Sequence, residues 1–476
     1  MRVLFLNPPL PDGDIYMKEL GRCGRRSVGG ETWPQTGLSY LAAVVLAEGH
    51  EAAIVDGMAE GLTQAQTEAR IGAWKPDWVI AGTTTPTFRQ DAAYLKGLKA
   101  RHGYTIGFTG THVTALPKES LTEAEADFVL VAEAELTIRR LLSRPRSEWS
   151  EVPGACVNVA GEAVLGPPTE LVKNLDDLPY PARHLTPYQL YKMPFSRGEP
   201  FATVIPSRGC PYPCTFCRAG TVWGTGIRTR SVDNLLGELL QMREKLGINF
   251  FAFMTDTFTL RRSWVKQVMQ GMRPHGFRWV CNSRVDTIDY DLAREMKASG
   301  CELISFGVES GNQRILESSK KGITLDQIRE GIAATKRAGI LTFAYFIIGL
   351  PGETEETIED TIRFARELDP DYCNFHVATP FPGTELYEQA KKNGWLVHED
   401  WERYEEMGSA VMRTSLLSPE AAMQAQGRAT RSVYLRPKRI LKELGRLRSW
   451  GDLRLRAGAA LRLLGVTQPK STTLVD

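Results

Sequence analysis

Cys210, Cys214 and Cys217 crowd three of the chain's eight cysteines into one loop, Ser207-Arg208-Gly209-Cys210-Pro211-Tyr212-Pro213-Cys214-Thr215-Phe216-Cys217. The Cys-x3-Cys-x2-Cys spacing lets three thiolates wrap one face of an iron–sulfur cubane, with Gly209, Pro211 and Pro213 shaping the loop. Four cysteines would close such a cluster, so three leave one iron open to a further ligand. The competing readings are a structural zinc site or three unrelated thiols. Zinc wants a fourth ligand at short range, and no other residue near the loop is Cys or His.

The elements that must hold this loop can be read from short apolar runs. The loop follows a strand at Ala202–Pro206, and further strands are expected at Phe250–Met254, Trp279–Asn282, Leu303–Val308, Thr342–Ile348 and Cys373–Ala378, with helices between them. Six strands so separated imply an open or partial (β/α) barrel over residues 201–383. Upstream, Arg2–Leu6, Ala52–Val55, Trp78–Ala81, Thr105–Thr109 and Phe128–Val131 alternate with helices, the first spanning Leu38 to Glu48 and closed by Gly49. That pattern predicts an α/β domain over residues 1–145, a doubly wound parallel sheet. Residues 146–200 read as a linker, because Pro179 and Pro181 discourage regular structure. Residues 384–476 read as helical.

The cysteine spacing, Phe216 before the last cysteine and the strand-to-loop position together resemble the radical S-adenosylmethionine superfamily. The resemblance covers roughly residues 206–383. It implies a [4Fe–4S] cluster on Cys210, Cys214 and Cys217 whose open iron chelates S-adenosylmethionine. It also implies cofactor contacts from segments that end successive strands. These are Asp256 in Thr255-Asp256-Thr257, Ser283 and Arg284 in Asn282-Ser283-Arg284, Glu309 in Gly307-Val308-Glu309-Ser310-Gly311, and the tight turn Gly349-Leu350-Pro351-Gly352-Glu353 beside the adenine. Read without the resemblance, Asp256, Arg284 and Glu309 could equally form an ordinary ion-pair network.

The N-terminal part is similar to the cobalamin-binding radical enzymes, through Asn7-Pro8-Pro9, Thr84-Thr85-Pro86-Thr87, Gly110-Thr111-His112-Val113 and Glu133-Ala134-Glu135. A ligand of a doubly wound sheet lies outside the carboxyl ends of its strands, so Thr84, Thr85, Gly110, His112 and Glu133 are the candidate cobalamin contacts. The Asp-x-His-x-x-Gly motif that ligates cobalt in some such proteins is absent; Asp56-Gly57-Met58 mimics it with methionine in the histidine place. Ala132 and Ala134 stand where that family often has glycine. A domain that only packs on the barrel is the bland alternative.

Composition sets outer bounds. A chain of 476 residues with 42% hydrophobic and 24% charged residues is globular and has more than one domain. Its net charge of +2 gives no reason to expect nucleic acid. Eight cysteines are too few for a disulfide scaffold and suit a reducing, cytoplasmic setting. No run of about 18 apolar residues exists to span a bilayer. Cys156, Cys281, Cys301 and Cys373 read as buried thiols, and Cys23 as a loop cysteine that could lie near the substrate. From Tyr434 to Leu464 arginines alternate with leucines, which a helix could sort into two faces, one lying on an anionic membrane. A helix packed on the barrel is the other reading.

The whole layout is similar to the hopanoid C-methylases, especially the C-3 type. That resemblance implies radical methylation of an unactivated carbon of a polycyclic lipid, with a flavodoxin- or ferredoxin-like reductant and peripheral contact with the inner membrane face. Radical rearrangement or cyclisation of a lipid or tetrapyrrole is the second reading. A non-catalytic cobalamin or lipid sensor is the third.

Overall fold

The computed structural model describes residues 1–18, 24–25, 31–405 and 408–444. Strands β1 (Arg2–Asn7), β2 (Glu51–Asp56), β3 (Trp78–Thr83), β4 (Thr105–Gly110) and β5 (Phe128–Leu130) pair in parallel in the order β2-β1-β3-β4-β5. Alternate residues of each strand feed two separate cores, so the sheet is covered on both faces. Val3, Phe5, Ile54, Ile80 and Phe128 pack against the helices Thr36–Ala47 and Glu135–Ser143. Leu4, Leu6, Val79, Ile106 and Phe108 pack under the helix Phe88–His102. The order reverses between β1 and β3, and ligands of such sheets bind beyond the strand ends at that reversal.

The expected linker at residues 146–200 needs correction. Ala155–Val159 (β6) and Glu162–Leu165 (β7) form a hairpin that extends the N-terminal sheet antiparallel from β5. Its turn is Ala160-Gly161, with φ of +52° and +95°. Two positive φ values in succession suit a tight hairpin turn whose usual signal is Asn-Gly or Asp-Gly, and alanine there hid it. Further on, Tyr191, Met193 and Phe195 pack with Phe201, Phe250 and Leu303.

The second sheet has six parallel strands in sequence order: β8 (Phe201–Val204), β11 (Phe250–Phe253), β12 (Arg278–Ser283), β13 (Cys301–Glu309), β14 (Leu341–Ile348) and β15 (Tyr372–Val377). It is the expected open barrel, each strand within a residue or two of its predicted place. Between β8 and β11, the two-residue strands β9 (Ser207–Arg208) and β10 (Arg228–Thr229) pair antiparallel and close the cysteine loop at its base. The C-terminal region is helical over Glu385–Lys392, Pro419–Tyr434 and Pro437–Leu444. In between it is largely irregular, and it buries Tyr404 and Val411 against Phe381. Among the described residues no helix is long and apolar enough to cross a membrane.

Candidate cluster and cofactor site

The cysteine loop leaves the carboxyl end of the barrel strands. Gly209 has φ of +96°, and a Cβ there would sit 2.1 Å from the Gly226 carbonyl oxygen, so glycine alone fits the loop's first turn. The Cys210 N–H donates to the Gly224 carbonyl at 3.2 Å, and the Cys217 N–H to the Cys214 carbonyl at 3.1 Å. Thr215, midway, donates to Ser319 and accepts from Leu386, at 3.0 and 2.8 Å. The loop is therefore pinned from three elements.

All three thiols are free, Cys210 and Cys214 half-buried and Cys217 exposed. Among the described residues no three His, Cys, Asp or Glu side chains converge tightly enough for one metal ion. A cubane that takes one thiolate per iron needs a wider spread than a single tetrahedral ion, and the donor set is soft thiolate, which suits iron–sulfur. The thiols fit a [4Fe–4S] cluster. Cys217, Arg218, Thr255, Asp256 and Asn282 line a cavity of about 290 Å³ that Thr111 of the N-terminal domain also borders.

Of the residues expected around S-adenosylmethionine, Asp256 lines this cavity. Ser283 ends β12 with its hydroxyl against those of Thr259 and Thr287. Arg284 grips Asp286 in a fork at 2.9 and 3.0 Å and lies 3.5 Å over the Tyr212 ring. Since Tyr212 sits between Cys210 and Cys214, Arg284 braces the cysteine loop. Glu309 ends β13 at a register shift with φ of +67°, and its carboxylate meets Lys321 Nζ at 2.7 Å. Burial works against the Lys321 charge, but Glu309 and the Cys214 sulfur outweigh it and its pKa is raised. The turn at Gly349 is held by Glu353, whose carboxylate accepts from the Leu350 N–H at 3.1 Å and from the Gly349 N–H. Burial pushes Glu353 up to about 7, against the pull of those two donors.

The candidate cobalamin residues gather at the carboxyl ends of β3 and β4, beside the reversal in strand order. Gly110 has φ of +127°, and a Cβ there would meet the Thr83 carbonyl oxygen at 2.0 Å. Thr84 bonds Thr87, Thr85 receives Arg218 at 3.4 Å, and His112 is 1% exposed and stacked on Phe88 at 4.4 Å between centroids. Burial, then Arg218 and Arg89, holds the His112 imidazole down at about 3. Among the described residues, His112 Nδ1 and Thr111 Oγ1 are buried without hydrogen-bond partners. Orphaned buried polar atoms call for a partner from outside the protein, such as a ligand amide, so this rim fits a corrin and its side chains.

Glu133, also expected among the cobalamin contacts, is tied into the protein on several sides. Its carboxylate is fully buried, meeting Arg208 at 2.5 Å, Arg228 at 2.7 Å and the Val172 N–H at 2.9 Å. Three protein donors hold this carboxylate, one on Oε1 and two on Oε2, and tie the N-terminal domain to the base of the cysteine loop. Cys23 and the basic stretch beyond Leu444 lie outside the described residues. Cys156, Cys281, Cys301 and Cys373 are buried thiols, as expected.

Four groups that matter here carried no readable pattern: Lys321, Tyr212 and the two arginines flanking the cysteines, Arg208 and Arg218. Their roles depend on partners 12 to 133 residues away in sequence.

Residues 204–365 match the model of the radical SAM superfamily, and residues 23–142 that of the B12 binding domain. The chain is 36% identical to an uncharacterized methyltransferase of Pyrococcus horikoshii, over 88% of this chain and 92% of that one. It is 27% identical to the cytidylyl-2-hydroxyethylphosphonate methyltransferase of Streptomyces wedmorensis, over 84% and 83%. It is 28% identical to the hopanoid C-3 methylase of Methylococcus capsulatus, over 81% and 73%. The radical S-adenosylmethionine methyltransferase TsrM of Kitasatospora setae, with cobalamin and a [4Fe–4S] cluster bound, shares the fold at a TM-score of 0.68 and 15% identity, over 98% and 99%. With its cysteine loop, its B12-binding sheet and a relative of this likeness along nearly its whole length, the chain belongs to the cobalamin-dependent radical S-adenosylmethionine methyltransferases, enzymes whose cofactors are a [4Fe–4S] cluster, S-adenosylmethionine and cobalamin.

Proposed function

We propose that the protein methylates an unactivated carbon of a polycyclic lipid such as a hopanoid, at C-3. What carries the reading is the cavity at Cys217, bordered by barrel residues and by Thr111 of the cobalamin domain, in a chain whose layout follows a hopanoid C-3 methylase. When bound, the cofactors supply a radical able to take hydrogen from carbon and a methyl group to put in its place; the protein supplies binding, orientation and dryness.

Cys210, Cys214 and Cys217 hold the cluster, and Asp256, Ser283, Arg284 and Glu309 face the S-adenosylmethionine side. Thr84, Thr85, Gly110 and His112 form the cobalamin rim. Trp401 rings with His112 at 5.2 Å and with Tyr404 at 4.9 Å, so the C-terminal region excludes water from that rim. A low-potential carrier of the flavodoxin or ferredoxin class delivers the electron. Arg436 and Arg439 pack on the barrel through Asp369 and the Pro370 and Asp371 carbonyls, so the basic stretch beyond Leu444 is the part that collects the lipid at an anionic membrane surface.

The test is anaerobic reconstitution with iron, sulfide and cobalamin, then incubation with methyl-labelled S-adenosylmethionine and bacterial lipid extract. Label in a triterpenoid, lost in Cys214→Ala, is the expected result. Label absent from lipid but present in a phosphonate or tetrapyrrole overturns the substrate. 5′-Deoxyadenosine with no labelled product overturns methyl transfer and favours rearrangement or cyclisation. Co-sedimentation of the whole chain with anionic but not neutral vesicles tests the membrane contact.

A further inference from the structure

The three cysteines are bracketed by two arginines, Arg208 two residues before Cys210 and Arg218 directly after Cys217. Both are buried, at 2% and 8% exposure, and both reach across to the N-terminal domain. Arg208 spreads its fork over two carboxylates from the end of β5 and the helix that follows, meeting Glu133 at 2.5 Å and Glu135 at 2.7 Å. Its plane lies over Tyr40 of the N-terminal domain at 5.1 Å and over Trp223, just past the cysteine loop, at 4.7 Å. Arg228, across the β9–β10 ribbon, takes the other oxygen of Glu133 and caps the Trp223 and Val172 carbonyls. Two cations and two anions thus form a closed, neutral quartet. Arg218 completes the second anchor, bonding Thr85 on the cobalamin rim at 3.4 Å with its guanidinium 4.4 Å over Phe381.

This wiring exceeds what cluster binding needs. A loop that only held iron could be braced within the barrel, as Arg284 already braces Tyr212. Anchors to the other domain at both ends of the loop constrain something else, namely where the loop stands relative to the rim of β3 and β4. Arginine suits the task because its planar fork fixes direction as well as distance.

We propose that Arg208, with Glu133 and Glu135, and Arg218, with Thr85, are positioning residues that set the separation of the cluster from the cobalamin. The proposal rests on the cofactors and is independent of which substrate the enzyme takes. Neither arginine is a catalytic residue.

The test reads the spin relaxation of cob(II)alamin quickened by the reduced cluster, measured by electron paramagnetic resonance in reconstituted enzyme without substrate. Glu135→Gln leaves the Arg208–Glu133 tie in place, so the chain folds and loads both cofactors, but the quickening weakens and its spread broadens. Arg218→Lys does the same from the other anchor, and Arg208→Lys, which keeps charge but loses the two-carboxylate fork, does it more strongly. The control is Arg278→Met, which breaks the pair with Glu302 at the opposite end of the barrel strands. It lowers the melting temperature without changing the relaxation. Unchanged relaxation in Glu135→Gln and Arg218→Lys overturns the proposal. So does an equal change in Arg278→Met, or loss of the cluster itself in Glu135→Gln, which would make the carboxylate a prop for the loop and nothing more. If hopanoid methylation fails while relaxation responds as described, only the substrate reading falls.

Discussion

At the scale of single residues, backbone conformation and burial say more than residue type. Ala132 adopts φ of +58°, whereas Ala134 sits at −89°. A left-handed alanine costs about 1 kcal/mol that glycine does not incur. Ala132→Gly is therefore expected to leave the melting temperature level or raised, and Ala134→Gly to lower it, in paired thermal scans. His112 gives a pH signature. Held down at about 3 in the folded protein, it stays neutral where the unfolded chain protonates below its usual 6.5. The unfolded state then binds the extra proton, so stability falls as pH drops from 6.5 toward 3, by roughly 1.4 kcal/mol per unit. His112→Phe, which can keep the stack on Phe88, is expected to become more stable relative to the wild type as denaturant midpoints are followed downward through that window.

Among elements, the helix Pro419–Tyr434 has a role its sequence does not announce. β15 is the last strand of an open sheet, and its free edge is a template for another chain. The helix covers it: Tyr434 Oη accepts from the Cys373 N–H at 3.0 Å and donates to the Cys373 carbonyl at 2.8 Å, and Gln426 donates to Phe375 at 2.8 Å. A chain ending at Ser418 is expected to aggregate in a sedimentation or light-scattering assay, which one ending at Leu444 does not. The strands themselves were legible. Runs such as Leu303–Val308 and Thr342–Ile348 are too apolar and too short for anything but buried strands, and glycines and prolines punctuate them. The β6–β7 hairpin was missed because Ala160 stands where asparagine would have flagged the turn. In the site, the cysteine spacing was legible because three ligands lie within eight residues. The ion pairs of Glu133 were not legible, because the same strand-end position serves a ligand or a neighbouring domain and its partner Arg208 lies 75 residues on.

For the whole molecule, the seam between the domains is where stability and cofactor geometry meet. Burial opposes the charge on Arg208, yet Glu135 and Glu133 more than offset it and raise its pKa. Breaking one buried pair in such a lattice costs about 3–5 kcal/mol, because the orphaned charge stays desolvated. Calorimetry of the cofactor-free protein is expected to show a single endotherm for the wild type and two for Arg208→Met. Added salt is expected to leave the wild-type profile largely unchanged, since buried pairs are poorly screened.

The same quartet imposes an order on the making of the protein. Glu133 is built 75 residues ahead of Arg208. At roughly 5–20 residues per second, the wait is on the order of 4–15 s. Through that interval the nascent N-terminal domain must carry two carboxylates with no cation to bury them against, so its inner face stays wet until the barrel begins to arrive. Cys210 to Cys217 follow Arg208 by two to nine residues, so the ligands for iron arrive only as that first cation does, and the timing of cofactor loading is thereby tied to synthesis of the second domain.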